Sequence, residues 1–349
     1  MITEILKKLI TKENLSAEEA SYFMTSIMSG EAGEIRTAAL LAALASKGET
    51  PLEIESFARS MRRAAVSWPG KSPEVLLDTC GTGGDSSNTI NISTLTAILL
   101  ASMGYPVAKH GNRAVSSSTG SADMLEEAGI SMDLTHEEIA DCLASVGITF
   151  LFAPKWHPAM KHAAPVRKAL GVRTVFNILG PLTNPAPVSH QIVGIFSDQF
   201  MQSYAGALAG LGRKGAYVVH SKDGLDELSI AAPTNFIKIE KGKIGSSGVF
   251  HPSDFGFELY DLTLLQAKDR EESILRFHNI LAGKGSNAEN SMIAMNAALA
   301  ISLVEESQQY KSIAAKCNDH LKSGMCADLL LKWTHYRREG NVVMSTGDL

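Results

Sequence analysis

From residue 75 onward the chain alternates short apolar runs with helical stretches, and that alternation limits it to a sheet covered by helices. The runs are Val75 to Leu77, Pro106 to Ala108, Ile148 to Phe152, Ile192 to Phe196 and Ala216 to Val219. Most precede a segment of helical character, as parallel strands joined by crossover helices do. Residues 236 to 250, FIKIEKGKIGSSGVF, break the rhythm and predict two antiparallel strands around a Lys-Gly turn. Helical tracts near 264–282, 288–305 and 308–338 complete the chain, which contains no repeat and no low-complexity segment.

Residues 1 to about 65 lack this alternation and read as helices. Ile2, Ile5, Leu6, Leu9 and Ile10 recur at helical spacing, and Ser16 with Glu19 forms a capping box before a second helix. A third helix around EIRTAALLAALAS stops at Gly48. Thr50, Pro51 and Glu53 then open a fourth with another capping box and proline at the first helical position. The turn-rich stretch SWPGKSP, residues 67 to 73, reads as a linker. The expected fold class is therefore α/β: a small helical domain over 1–72, followed by a larger α/β domain over 73–349 with a mostly parallel sheet.

The totals exclude several function classes. The chain has 349 residues, 45% of them hydrophobic and 20% charged, which suffices for a core without covalent staples. A net charge of -5 argues against a general grip on nucleic acid. Cys80, Cys142, Cys317 and Cys326 lie apart with no CxxC pair, which fits reduced thiols in the cytoplasm rather than a disulfide frame or zinc site. MITEILKKLI carries no signal-like apolar core, and no apolar run approaches the roughly 20 residues of a membrane span. A soluble, untargeted cytoplasmic protein without a membrane partner is expected.

Ligands of open α/β sheets collect at the carboxyl ends of strands, so the loops after the predicted strands are the first places to search. The first reads DTCGTGGDSSNTINIST, residues 78 to 94, and places Gly81, Gly83, Gly84 and Asp85 just before a helix start near Asn91, Ile92, Ser93 and Thr94. Glycines let a backbone approach an anion, and the free amides of a helix start supply donors, so a phosphate suits the loop as well as a plain strand-to-helix turn does. Ser86 replaces the third glycine of a dinucleotide fingerprint, and no Gly-Lys-Ser/Thr is present, so neither a nucleotide dehydrogenase nor a P-loop NTPase is supported. The formal GxGxxG at Gly210 to Gly215 follows a helix and precedes a strand, which makes it a helix end and turn. A second loop, KHGNRAVSSSTGSADMLEEAG, offers Lys109, His110, Asn112, Arg113, Ser116, Ser117, Thr119 and Ser121 before another helix. Gathered cations and hydroxyls suit anionic oxygens, although a solvated polar loop has the same look. Two such loops after neighbouring strands point to a ligand with more than one phosphate.

Such a ligand usually travels with magnesium, which takes a few carboxylates together with phosphate and water. Asp226 and Glu227, in SKDGLDELS, are placed after a strand as hard ligands, and Ser93 can add a hydroxyl; adjacent acids in a loop are also commonly just solvated. Residues 152 to 185, FAPKWHPAMKHAAPVRKALGVRTVFNILGPLTNP, gather His157, His162, Arg167 and Arg173 with Phe176, Asn177, Gly180 and Pro181. His157 and His162 lie five apart with no nearby acid, so no HExxH zinc helix is present. Arg167 can face a carboxylate with both arms of its fork, or simply be exposed.

Taken together, these motifs and GEAGEIRTAALLAALASKGET resemble the anthranilate phosphoribosyltransferases, over nearly the whole chain and more weakly after about residue 310. The resemblance implies a helical domain completed by residues of about 160–185, a larger α/β domain, an active site between them, and a homodimer joined through the helical domains. It implies magnesium-dependent transfer of phosphoribose from phosphoribosyl pyrophosphate (PRPP) to anthranilate in tryptophan synthesis. PRPP would be held by Gly81, Gly84, Asp85, Thr89, Asn91, Ile92, Ser93 and Thr94, continued by Lys109, His110, Gly111, Asn112, Arg113, Ala114, Val115, Ser116, Ser117 and Ser121. Magnesium would fall to Ser93, Asp226 and Glu227. Asn112 and Arg167 would contact anthranilate, Gly81 would be shared between substrates, and His110, His157 and Gly180 would line the acceptor channel; Lys109, His110 and Arg167 are the candidate catalytic groups. One departure is Ser118, where the family commonly has lysine, which removes a positive charge beside the phosphates. The rivals are a pyrimidine nucleoside phosphorylase-like enzyme, which would not use Asp226 and Glu227, and an inactive nucleic-acid-binding relative, which would want a basic face.

Overall fold

The computed structural model describes residues 1–85, 87–113 and 120–336. Four helices open the chain: α1 (Ile2–Ile10), α2 (Ala17–Met28), α3 (Gly33–Lys47) and α4 (Pro51–Ala64). Both predicted capping boxes form, Ser16 with Glu19 and Thr50 with Glu53. Glu53 does more than cap. Its buried carboxylate accepts from the Leu15 amide at 2.9 Å and from Lys47 Nζ at 2.9 Å, which ties the α1–α2 and α3–α4 connections together. A carboxylate so enclosed is tolerated because it is paired and multiply hydrogen-bonded.

Beyond the linker lies a seven-stranded sheet in the order β3-β2-β1-β4-β5-β6-β7. Its strands are β1 (Leu77–Asp78), β2 (Val107–Gly111), β3 (Ile148–Phe152), β4 (His190–Gly194), β5 (Gly215–Ser221), β6 (Thr234–Glu240) and β7 (Lys243–Phe250). The first five pair in parallel and the last two antiparallel, so the sheet is mostly parallel as expected. The turn between β6 and β7 places Lys241 at φ 50° and Gly242 at φ 75°, the two left-handed residues that match the twist of a tight hairpin. Along β5, Tyr217 and Val219 enter one core while Ala216 and Val218 enter the other. Alternation at period two with both faces apolar is what a strand covered on both sides requires.

Helices fill both faces: α5 (Ile92–Ser102), α6 (Ser121–Glu127), α7 (His136–Val146), α8 (Ala153–Trp156), α9 (Ala164–Leu170), α10 (Phe176–Leu179), α11 (Met201–Gly210), α12 (Arg270–Leu281), α13 (Asn287–Val304), α14 (Tyr310–Lys322) and α15 (Met325–His335). Helix α13 is buried around its whole circumference from Ala288 to Leu303 and forms the centre of one core. The other core joins α1–α4 and α11 to Ala163, Val166, Val175, Phe176 and Leu179. No helix among the described residues is long and apolar enough to cross a membrane.

Three local expectations need correction. The first strand is Leu77–Asp78 rather than Val75 to Leu77; at Leu76 the amide donates to the Ser189 hydroxyl, a side-chain bond in place of a ladder bond, while its carbonyl accepts from the Ser189 and His190 amides. The tract at 264–282 is helical only from Arg270; Asp269 caps that start by accepting from the Glu272 amide, and Leu262–Leu265 forms a separate 3-10 turn. The tract at 308–338 is two helices, because Gly324 at φ 80° interrupts the path between α14 and α15.

Strand β1 is the topological switch point. The chain winds outward from β1 through β2 to β3, then crosses to β4 on the opposite flank, which opens a crevice at the carboxyl ends of β1 and β4.

Candidate active site

The loop after β1 fills that crevice. The Thr82 amide donates to Gly194 O at 2.9 Å, and Thr82 Oγ1 accepts from the Phe196 amide at 3.2 Å, so the loop base is fastened to the end of β4. Gly83 and Gly84 follow at φ 67° and 82°, left-handed positions that a side chain would strain. The Gly83 amide donates to Asp226 Oδ2 at 2.6 Å. A Cβ on Gly81 would lie 2.7 Å from the same oxygen, and a Cβ on Gly194 would lie 1.4 Å from the Asp226 carbonyl oxygen. The glycines therefore make room for the acidic loop. Asp85 turns its carboxylate to Ser87, Thr89 bridges to Gln266, and Asn91 begins α5 without a side-chain cap of its own ahead of Ile92, Ser93 and Thr94.

Strand β2 delivers the next groups. Lys109, 1% exposed, donates from Nζ to Ser93 Oγ at 3.0 Å. Thr94 Oγ1 donates to Ser121 Oγ at 3.1 Å, joining the two loops. Gly111 is required by its neighbour: a Cβ there would meet Phe150 at 2.8 Å. Asn112 accepts from the Arg113 amide, while the Arg113 guanidinium pairs with Asp123 and Glu126 on α6. Ala114, Val115, Ser116 and Ser117 lie outside the described residues, as does Ser118.

The acceptor candidates lie against the 176–184 segment. His110 Nδ1 is 3.2 Å from Gly180 O, so that nitrogen carries the proton and Nε2 keeps its lone pair. His157 stands beside it, ring centres 5.3 Å apart, and the Nε2 atoms of both are buried without a partner among the described residues. Burial, and for His110 also the neighbouring His157, depress both imidazoles, His110 to about 3 and His157 to about 4. Both rings are neutral at pH 7. Arg167, on α9, lies over the Phe176 ring at 5.3 Å and has no carboxylate partner among the described residues. A half-buried guanidinium without a counter-ion suits a planar carboxylate.

The acids carry the opposite signal. Burial, then the Asp85 charge, raise Asp226 above the ordinary carboxylate range; burial, then Asp226, raise Glu227. Neither has an ion-pair partner among the described residues, and no group of three or more His, Cys, Asp or Glu forms a complete metal cage there. Crowded, buried carboxylates fit magnesium, which takes few protein ligands and completes its shell with phosphate and water.

The sequence reading missed a layer beneath these groups. Asp78, wholly buried at the end of β1, accepts from Asn184 Nδ2 at 2.9 Å, Gln191 Nε2 at 3.2 Å and the His110 amide at 3.3 Å. Arg213, depressed to about 10 by burial, donates to Gln191 Oε1 at 3.1 Å. Gln191, directly before the apolar run Ile192 to Phe196, gave no pattern that marks it as buried.

Comparison with known proteins follows the same division. Residues 3–65 match the glycosyl transferase family, helical bundle domain, and residues 73–327 match the glycosyl transferase family, a/b domain. The chain is 42% identical over 326 residues to the anthranilate phosphoribosyltransferase of Deinococcus radiodurans, covering 93% of this chain and 96% of that one. It is 46% identical over 301 residues to that of Desulforudis audaxviator, covering 86% of each. The crystal structure of the Thermus thermophilus enzyme superposes with a TM-score of 0.89 at 38% identity, over 96% of this chain and 99% of that one. The Saccharomyces cerevisiae enzyme in complex with PRPP and Mg gives a TM-score of 0.89 at 26% identity, over 97% and 98%. Matched by both domain models, by relatives 42% and 46% identical over most of its length and by a full-length superposition, this chain belongs to the anthranilate phosphoribosyltransferases, a family of glycosyltransferase enzymes.

Proposed function

We propose that the chain transfers phosphoribose from PRPP to the amine of anthranilate with the help of magnesium, as a step of tryptophan synthesis. The observation that carries the reading is the meeting, at the switch point, of a glycine loop, a buried lysine bonded to Ser93 and a buried acidic pair. In the transfer the bond from ribose C1 to pyrophosphate oxygen breaks, a C1–N bond forms, and the amine gives up one proton. Ser93, Asp226 and Glu227 would hold magnesium, which supplies charge stabilisation to the departing pyrophosphate. Gly81, Gly84, Asp85, Thr89, Asn91, Ile92 and Thr94 line the pyrophosphate side, and Lys109 adds a fixed positive charge there, the electrostatic form of catalysis. Gly111, Asn112, Arg113, Ser121 and the 114–117 segment would border the same substrate.

On the acceptor side Arg167 orients the anthranilate carboxylate, while His157 and Gly180 border the ring. His110 receives an amine N–H on Nε2. Its low proton affinity makes it a guide for that proton and not its keeper, which suffices because an arylamine is neutral and needs no strong base. Residues 1–72 with about 160–185 form one domain in this reading and the rest of 73–349 the other. Exposed Ile10 and Ile35 on the helical layer, 67% and 88% accessible, support a homodimer through that layer, which light scattering of the purified protein tests.

The deciding assay follows anthranilate by its fluorescence, with and without PRPP and with magnesium present or chelated. Consumption that needs both establishes the reaction. Phosphorolysis of a pyrimidine nucleoside without PRPP would replace it with the phosphorylase reading.

A further inference from the structure

Arg173 belongs to the acceptor segment, yet its side chain reaches the pyrophosphate loop. Its Nη2 donates to Gly84 O at 2.6 Å, and its guanidinium lies 4.0 Å from the centre of the Phe196 ring. Phe196 in turn gives its amide to Thr82, at the base of the same loop. The backbone that carries Arg173 is anchored on the far side. The Thr174 amide donates to Asn177 Oδ1 at 3.0 Å, and Val175 and Phe176 are buried in the core shared with α1–α4. A cavity of about 360 Å³ lined by Ala45, Glu49, Ile178, Phe196 and Phe200 runs along this seam, with Arg173 spanning it.

We propose that Arg173 is a positioning residue that sets the Gly81–Asp85 loop in its pyrophosphate-binding conformation. The proposal rests on the transfer reaction argued above. Gly83 and Gly84 have the freest backbone in the loop, and each is held from a different side: the Gly83 amide by Asp226 and the Gly84 carbonyl by Arg173. A trans peptide turns its carbonyl and amide in opposite directions, so fixing the Gly84 carbonyl on Arg173 also fixes the direction of the Asp85 amide. Without that hold Gly84 and the peptide it shares with Asp85 are free to reorient, and pyrophosphate must order them on binding, which weakens its affinity. Only arginine serves both ends, because its planar fork stacks on Phe196 while one arm donates; lysine can donate but cannot stack in the same way. Among the described residues no carboxylate pairs with Arg173, so its two partners are the loop and the ring.

The test compares the wild type with Arg173→Gln and Arg173→Lys. Calorimetry measures binding of magnesium pyrophosphate alone, kinetics give KM separately for PRPP and anthranilate, and the unliganded melting temperature is recorded. The expected result for Arg173→Gln is about tenfold weaker pyrophosphate binding and a PRPP KM raised to match, with the anthranilate KM changed less than about twofold. Arg173→Lys should recover part of the affinity, and both variants should melt within about 2 °C of the wild type. Should Arg173→Gln fail to fold, Arg173→Lys decides by the same contrast. Unchanged pyrophosphate affinity, or equal loss toward both substrates, overturns the positioning role while leaving the transfer reaction in place. A wild type that binds magnesium pyrophosphate but does not consume anthranilate with PRPP overturns the transfer and leaves the Arg173 contrast readable; a wild type that binds no pyrophosphate overturns both.

Discussion

Asp226 Oδ2 accepts the Gly83 amide at 2.6 Å, so the carboxylate offered as a metal ligand is also the strut of the glycine loop. Metal holding, if assigned here, and loop support would fall to one carboxylate. Glycine at 81 and 194 is the steric condition for that arrangement, because both positions face Asp226 at distances no Cβ can occupy.

Gly194→Ala and Gly81→Ala should therefore fail differently. At 194 the new methyl meets the Asp226 carbonyl oxygen 1.4 Å away, an obstacle fixed in the backbone, and relief requires moving β4 or the acidic loop. A loss of about 3 kcal/mol or more is expected, read by urea denaturation. At 81 the obstacle is a side-chain oxygen at 2.7 Å, which can swing aside. That variant should lose about 1–2 kcal/mol with the Gly83 bond yet lose most of its magnesium-dependent activity. Equal stability loss in the two would refute the steric account.

Asp226→Asn with Glu227→Gln should reduce turnover by about 10²-fold or more without harming the fold. The linkage runs in one direction. Both carboxyls bind protons more tightly folded than unfolded, so their stabilisation is present below the ordinary carboxylate range and lost as pH rises through the raised values. Above pH 7 the magnesium-free double variant should then melt no lower than the wild type. Full activity in the variant would remove the metal assignment.

Arg167→Ala should raise the anthranilate KM by about 10- to 100-fold, the worth of a charge-assisted pair, with a smaller change for PRPP. Among the described residues its guanidinium has no ion-pair partner and lies over the Phe176 face, so little stability should go with it. Arg167→Lys keeps the charge and loses the fork, and should fall between. Matched losses for both substrates would place Arg167 outside the acceptor pocket.

How much of this was legible in the sequence follows from how local each signal is. The capping boxes at Ser16 and Thr50, the Lys241-Gly242 turn and the end of α3 at Gly48 depend on residues within a few positions of each other, and the chain forms them as its letters predict. Breaks within long apolar tracts were harder, because Gly324 and Asp269 interrupt a periodicity that continues on either side. The layer under the site was illegible for a different reason. Asp78, Asn184, Gln191 and Arg213 are brought together by the pairing of β1 with β4 and by the loops that lead into β4 and β5, over separations of 106 positions between Asp78 and Asn184 and 22 between Gln191 and Arg213. Arg173 was visible as a residue of the acceptor segment, but no pattern in its own stretch points to Gly84, 89 positions away.

The two buried imidazoles carry the pH dependence. His110 is depressed to about 3 and His157 to about 4, so in the folded state both resist a proton that the unfolded chain accepts near 6.5. Their stabilisation is present above about pH 6.5 and is lost as pH falls toward the depressed values, with a slope approaching about 1.4 kcal/mol per pH unit for each ring. Urea denaturation at pH 6.5, 5.5 and 4.5 should show the wild type weakening steeply, and His157→Asn should weaken less steeply by about one such slope. The same neutrality has a kinetic side. Between pH 6 and 8 neither ring changes charge, so kcat should show no inflection there from His110. An inflection near 6.5 that disappears in His110→Asn would mean that the ring titrates in the working enzyme, and that it keeps the amine proton rather than passing it on.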